Sequence, residues 1–401
     1  MINLEIPRKF VPLVTQAHEV AANVLRPISR KYDRAEHAYP KELDMLAALI
    51  DGMNAGSSEG AGAAGVRRNG NDGEGNRNGS NLSTTLGCME MCWGDVGLLL
   101  SMPRQGLGNA AIASVANEEQ LKRFKGRWAA MAITEPGAGS DSAAIRTTAR
   151  LDGDHYVLNG EKIFVTAGDR ADLVVVWATL DRAIGRAAIK SFVVEKGTPG
   201  FELVRLEHKL GIRSSDTAAF VLRDCRVPRE NLLGTPEINV EKGFAGVMQT
   251  FDNTRPLVAA MAVGLMRACI ERTRELLAQA GIQVDYERPV ALQSVAAASL
   301  LAMEADYEAA RLLTLQAAWM ADNRRPNSLQ ASMAKAKAGR SCVEVALRCV
   351  ELCGAVGLGE DELLEKWARD AKILDIFEGT QQIQLLIVAR RLLGKTSSEL
   401  K

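Results

Sequence analysis

Histidine is scarce in this chain, and charge of either sign is in no excess. The 401 residues contain four histidines, and His18, His37, His155 and His208 lie too far apart in sequence to form a metal-binding motif. Lysine plus arginine and aspartate plus glutamate number 49 each. No global field therefore gathers nucleic acid or an anionic membrane, and an anionic ligand must be held locally. No apolar run approaches a membrane span, and the start M-I-N-L-E-I-P-R-K-F lacks the apolar core of a signal peptide. These absences predict a cytoplasmic protein with no metal, no nucleic acid and no membrane among its partners. The seven cysteines are an odd number. Cys88 and Cys92, like Cys349 and Cys353, fall one helical turn apart on apolar stretches, a spacing open to metal, but without nearby histidines reduced core thiols are the expectation.

What is present is an ordinary globular composition, 47% apolar and 24% charged, in an α, then β, then α order. Residues 1–126 read as a helical domain: Phe10 to Leu49 has helical periodicity, Pro27 predicts a kink, and Tyr39-Pro40 opens a new helix. Within it, 51–81 dissolves into Gly, Asn, Ser and Ala with almost no large apolar residue, which predicts a mobile loop. Its G-A-G-A-A-G (Gly60 to Gly65) has no strand before it and no helix after it, so it is no dinucleotide fingerprint. Structure is expected to resume near Thr84, with breaks at Gly106 and Gly108. Residues 127–236 carry short β-rich runs, with Asp152-Gly153 and Asn159-Gly160 expected as hairpin turns, ending at Arg226-Val227-Pro228. Such spacing predicts a compact β-barrel or sandwich. Residues 237–401 return to long helices, notably Ala291 to Met320 and Leu329 to Cys353. A β-module between helical domains leaves a crevice where a flat cofactor fits.

Two stretches carry chemistry. In D-I-F-E-G-T-Q-Q-I-Q (Asp375 to Gln384), Gly379 permits a turn, Thr380 can cap, and Ile383, Leu386 and Ile387 recur at helical spacing. Glu378 thus stands at a helix threshold beside Ile376 and Phe377, where burial would raise it from about 4.3 towards the ~6 to 7 that suits a general base. A glutamate placed there only for the helix dipole fits the same pattern. In T-E-P-G-A-G-S-D (Thr134 to Asp141), Pro136, Gly137 and Gly139 shape a turn whose N–H groups can converge on an anion, with the Thr134 and Ser140 hydroxyls beside them. An ordinary loop after a strand remains the alternative.

These motifs, with N-G-E-K-I-F-V-T (Asn159 to Thr166), K-L-G-I-R-S-S-D-T (Lys209 to Thr217) and D-N-T-R-P (Asp252 to Pro256), resemble the acyl-CoA dehydrogenase family in order over nearly the whole chain. The resemblance implies an α+β fold with an N-terminal helical domain, a central β-domain and a C-terminal four-helix bundle. It also implies α,β-dehydrogenation of an acyl-CoA with FAD as cofactor and an electron-transfer flavoprotein as electron acceptor. Glu378 would be the base, as in the short- and medium-chain branch, since Thr254 stands where other branches carry it. Met131, Ile133, Thr134, Gly139, Ser140, Phe164 (where the family usually has Trp), Val165, Thr166, Thr380 and Gln382 would line the flavin. Ser140, Asp252, Thr254, Arg255 and Gly379 would face the substrate.

Three departures accompany the likeness. The family's R-x-x-F-G, which reaches a neighbouring subunit's flavin pyrophosphate, is replaced by Q-A-G-I-Q-V-D-Y-E-R-P (Gln279 to Pro289). A Gln and glycine turn near that cofactor is replaced by E-L-C-G-A-V-G-L (Glu351 to Leu358), setting a carboxylate where phosphate must approach. The loop that helps wall the acyl site is replaced by 51–81. A tetramer is expected, of α2β2 form, with a paralogous chain supplying the missing elements. A catalytically silent accessory subunit, and an oxidase or monooxygenase on the same fold, are the other readings.

Overall fold

The computed structural model describes residues 6–54, 78–104, 107–238, 245–396 and 399, without the side chains of 49–54 and 245–253. Around Pro27 the chain does not kink in the simple way expected. Helix α1 (Val11–Val20) passes through a π-helical turn (Ala21–Leu25) into α2 (Arg26–Arg34), whose first turn holds Pro27 where a missing N–H breaks no bond. Helix α3 (Glu42–Asn54) covers the start of the expected loop, while 55–77, including Gly60 to Gly65, lie outside the described residues, as does Gly106. Helix α4 (Ser80–Gly94) begins before Thr84. Its cap comes from far away in sequence: the Asp322 carboxylate accepts from the N–H groups of Gly79, Asn81 and Leu82 at 2.7, 2.9 and 3.0 Å. Helices α5 (Val96–Leu100), α6 (Leu107–Val115, with Gly108 in its first turn and not at a break) and α7 (Glu118–Arg123) follow.

The central strands are β1 (Ala129–Ala132), β2 (Thr148–Asp152), β3 (His155–Thr166), β4 (Leu173–Thr179), β5 (Ile189–Glu195), β6 (Phe201–Leu206) and β7 (Thr217–Pro228). They form one seven-stranded sheet in the order β1-β4-β2-β3-β7-β6, with β5 also on β4. Strand β4 is buried along its whole length, because Val174 and Val176 face one apolar cluster and Leu173 and Val175 another. Asp152-Gly153 turns the β2–β3 hairpin. Asn159-Gly160 does not turn: β3 runs straight through it, and the register against β7 slips there. The reason is close approach, since a Cβ on Gly160 would lie 2.4 Å from Thr147 Oγ1, so the glycine marks a bulge.

The C-terminal helices are α8 (Ala245–Gln279), α9 (Val295–Asp322), α10 (Ser328–Leu358, kinked at Gly354), α11 (Leu364–Leu374) and α12 (Gln381–Leu393). Their small-residue faces, such as Ala259, Ala262, Ala331, Ala334 and Ala338, pack closely, and α4 of the N-terminal segment joins the same core through Leu82, Leu86, Met89 and Cys92. All seven cysteines are free thiols. Among the described residues no helix is long and apolar enough to cross a membrane.

One buried ionic cluster ties these parts together. Lys366 Nζ on α11 pairs with Asp95 Oδ2 at 2.7 Å and with Asp370, and all three side chains are almost wholly enclosed. Asp95 Oδ1 also accepts from Leu98 N at 2.8 Å, capping α5, while its other oxygen accepts from the Ser29 hydroxyl. Asp370 in turn accepts from Ile212 N in the loop between β6 and β7. Burial disfavours the Lys366 charge, but Asp370 and Asp95 outweigh it and hold the ammonium above the ordinary lysine range. Nearby, Glu36 accepts from Lys209 N at 2.9 Å and meets His208 Nδ1 at 2.8 Å, a second tie between the α2–α3 connection and the β-domain. Removing Lys366 by Lys366→Met leaves two buried carboxylates unpaired, and a loss of about 3–5 kcal/mol is expected. Chemical denaturation checks it, with partial recovery expected in Lys366→Met/Asp370→Asn.

Candidate active site

Helix α11 carries the chain from the ionic cluster directly to Glu378. Beyond Leu374, the N–H of Phe377 still bonds to Ile373 O at 3.0 Å. Glu378 (φ 56) and Gly379 (φ 94) then take consecutive left-handed conformations, which reverse the chain before Thr380 caps α12 by accepting from Ile383 N at 3.4 Å. A glutamate held there is strained by about 1–3 kcal/mol, and such strain persists only where surrounding contacts impose it. Those contacts are present. Gln384 Nε2 donates to Glu378 O at 3.1 Å and Gly379 O at 3.2 Å, and Lys335 Nζ on α10 donates to Gly379 O at 2.7 Å. At φ 94 a side chain on residue 379 is strained, and its Cβ would lie 2.3 Å from Gln384 Nε2 and displace that donor, so glycine is favoured.

The carboxylate of Glu378 points to α8, where Thr254 Oγ1 donates to its Oε2 at 2.8 Å. Burial pushes its pKa above the ordinary 4.5, opposed only in part by the Thr254 bond and the charges of Arg255 and Lys335. Thr254 and Arg255 are both buried. Thr254, expected at the substrate, has its hydroxyl on the Glu378 carboxylate. Asp252 lies in α8, but its side chain is outside the described residues.

The turn at Thr134 to Asp141 is fixed from below. Glu135 and Ala138 exchange backbone bonds of 3.1 Å around Pro136-Gly137. The buried Glu135 carboxylate takes Lys162 Nζ at 2.8 Å, Thr147 N at 2.9 Å and Arg146 N at 2.6 Å. Burial alone would raise it, but the Lys162 charge and these bonds hold it below the usual carboxylate range, and burial brings Lys162 down to about 8. Lys162 Nζ also holds Ile133 O at 2.9 Å, and Ile163 N holds Thr134 O at 2.9 Å, which brings β3 alongside the turn. Phe164 follows with φ 57 and 60% of its surface exposed. Gly137 and Gly139 face open space where a Cβ would project. An exposed aromatic ring in a strained conformation beside an open, N–H-bearing turn fits a flat anionic cofactor. Met131, Ile133, Thr134 and Thr166 are half-buried, Val165 is buried, and Gly139, Ser140 and Gln382 are exposed.

Comparison with known proteins agrees with this geometry. The family model described as acyl-CoA dehydrogenase, middle domain, matches residues 130–225, and that of the C-terminal domain matches 241–393. The short-chain specific acyl-CoA dehydrogenase of Clostridium acetobutylicum is 33% identical over 93% of this chain and 95% of its own. The chain belongs to the acyl-CoA dehydrogenase family. Its fold is that of the family: butyryl-CoA dehydrogenase from Megasphaera elsdenii superposes with a TM-score of 0.84 at 30% identity, covering 98% of this chain and 100% of that one. A chain of the structure described as the electron transferring flavoprotein of Acidaminococcus fermentans gives 0.83 at 31% identity over 98% and 100%. Members are oxidoreductases acting on CH–CH bonds and are flavoproteins.

Several residues that shape the site escaped the sequence reading. Lys335 shares a helical stripe with Ala331, Ala338 and Cys342, all buried, and a lysine on an apolar stripe was the available signal. Gln384, Glu135 and Lys162 sat inside quoted motifs without a role. Glu351 differs from expectation in another way: Arg348 Nη1 pairs with it at 2.7 Å, so the carboxylate carries its own counter-charge. The raised pKa of Glu378 has a consequence for stability. Favourable proton uptake by the folded state is fully present below the unfolded value of 4.5 and is lost as pH rises through the raised folded value. Thermal melts should therefore show Glu378→Gln gaining on the parent as pH climbs through that window, and running parallel to it below pH 4.5.

Proposed function

We propose that this chain is an FAD-dependent acyl-CoA dehydrogenase in which Glu378 removes the α-proton of a thioester. The observation that carries the reading is the Glu378 carboxylate, desolvated, bonded to Thr254 and held on a strained turn that opens α12. Its raised pKa gives the carboxylate the basicity that an activated carbon acid demands. When bound, FAD accepts the hydride that leaves the β-carbon. The α C–H bond breaks, its proton goes to Glu378, and its electron pair becomes the new α,β double bond of the enoyl-CoA product. Thr134, Gly139, Ser140, Phe164, Val165 and Thr166, with Met131, Ile133, Thr380 and Gln382, would hold the cofactor. Ser140, Asp252, Thr254, Arg255 and Gly379 would border the substrate. The names of the short-chain and butyryl-CoA relatives support a short acyl chain, and the Acidaminococcus neighbour supports an electron-transfer flavoprotein as acceptor.

A heteromeric assembly completes the proposal. The segment that replaces R-x-x-F-G is closed on itself: Gln293 Nε2 donates to Asp285 O at 2.8 Å and Arg288 O at 3.1 Å, and Tyr286 bonds to Glu304 at 3.0 Å. Next to it Val290, Leu292 and Val295 are exposed, an apolar surface that suits contact with another subunit. A paralogous chain would then bring the phosphate contacts.

Anaerobic titration with a panel of acyl-CoAs tests the function, with bleaching of the oxidised flavin by short-chain substrates as the expected result and no bleaching by any acyl-CoA as the failure. Glu378→Gln should keep the flavin but slow its reduction by at least about a thousandfold. Expressed alone, the chain should be poorly flavinated and should gain flavin when co-expressed with its paralogue. A fully flavinated, active homotetramer would rule the heteromer out.

A further inference from the structure

We propose that Lys335 is a positioning residue for proton abstraction, holding the Glu378–Gly379 turn and supplying the cation that faces the base. The proposal rests on Glu378 being that base. Lys335 is 0% exposed, and its Nζ donates to Gly379 O at 2.7 Å. That carbonyl already accepts from Gln384 Nε2 at 3.2 Å, so the acceptor does not need a lysine to be satisfied. A buried ammonium is a costly way to supply one more donor.

The charges around it explain the cost. Glu378 from the turn, Asp375 from the end of α11 and Arg255 from α8 all act on Lys335. Asp375 is further paired with Lys372 at 3.0 Å, towards the outside. With Glu378 ionised, Lys335, Arg255 and the outer Lys372 stand against Glu378 and Asp375. When Glu378 takes the α-proton, one of those two negative charges is neutralised and the positive excess grows at the moment negative charge develops on the thioester. Lys335 thus keeps Glu378 anionic before the step and offsets the substrate's charge during it. Burial also lowers Lys335 to about 8, against the pull of Asp375 and Glu378, so its charge is lost within an accessible pH range.

The test uses the flavinated protein, in its assembled form, carrying Lys335→Met, which removes donor and charge, or Lys335→Gln, which keeps a donor. Infrared pH-difference spectra read the Glu378 titration, with Glu378→Gln identifying its band. Stopped-flow bleaching by butyryl-CoA reads the pH profile of flavin reduction. Both Lys335 variants should raise the Glu378 midpoint by about one pH unit or more and slow reduction at neutral pH at least tenfold. Both should also lack the falling limb near pH 8 that is expected of the parent. Folded variants that keep the parent's midpoint and profile overturn the proposal, as does failure of both to fold, which makes the lysine structural. If Glu378→Gln still exchanges the α-proton of butyryl-CoA with solvent, the base assignment itself fails, and that result is separate from any seen with Lys335.

Discussion

A single ammonium, Lys366, stands at the point where three stretches of chain meet. Its partners Asp95 and Asp370 belong to the N-terminal helices and to α11, and Asp370 reaches on to the backbone of Ile212 in the β-domain. In low dielectric such a cluster tolerates little displacement, because each carboxylate that drifts away is left desolvated and unpaired. Apolar packing alone would let α11 slide along its neighbours. The ionic cluster sets its register, and α11 ends a few residues before Glu378. The position of Glu378 relative to the β-domain is therefore inherited from this charge contact.

Around Glu378 the molecule does the reverse of what stability favours. A non-glycine residue adopts a left-handed conformation, a carboxylate is desolvated beyond what its partners compensate, and a lysine is buried with its charge. Each feature is unfavourable locally, and each is imposed by neighbours on α8, α10 and α12. The turn at Thr134 to Asp141 is built on the opposite principle. Its acidic residue, Glu135, is saturated with donors and stays anionic as a fixed strut. One glutamate is thus held with a raised pKa and the other with a lowered one, and the paired charge of Lys162 together with the donors around Glu135 makes the difference.

Much of this was legible in the sequence. The α, β, α order followed from periodicity, and the Glu378 threshold from a turn residue, a cap and an apolar repeat. The misreadings share a cause, which is that local chemistry was decided by distant residues. Asn159-Gly160 has the composition of a hairpin turn, yet Thr147 crowds Gly160 and the strand continues. Ser80 starts a helix with no cap in its own segment, because Asp322 provides one. Pairings between residues remote in sequence leave no trace in spacing.

The Asp322 cap also has a bearing on how the chain tolerates change. Helix α4 takes its starting point from a carboxylate at the end of α9, which grips the N–H groups of Gly79, Asn81 and Leu82. The start of α4 is thus tied to a residue remote from it in sequence. A change that displaces the end of α9 is thereby carried to the first turn of α4, whose Leu82 and Leu86 sit in the same apolar core as α8 and α10.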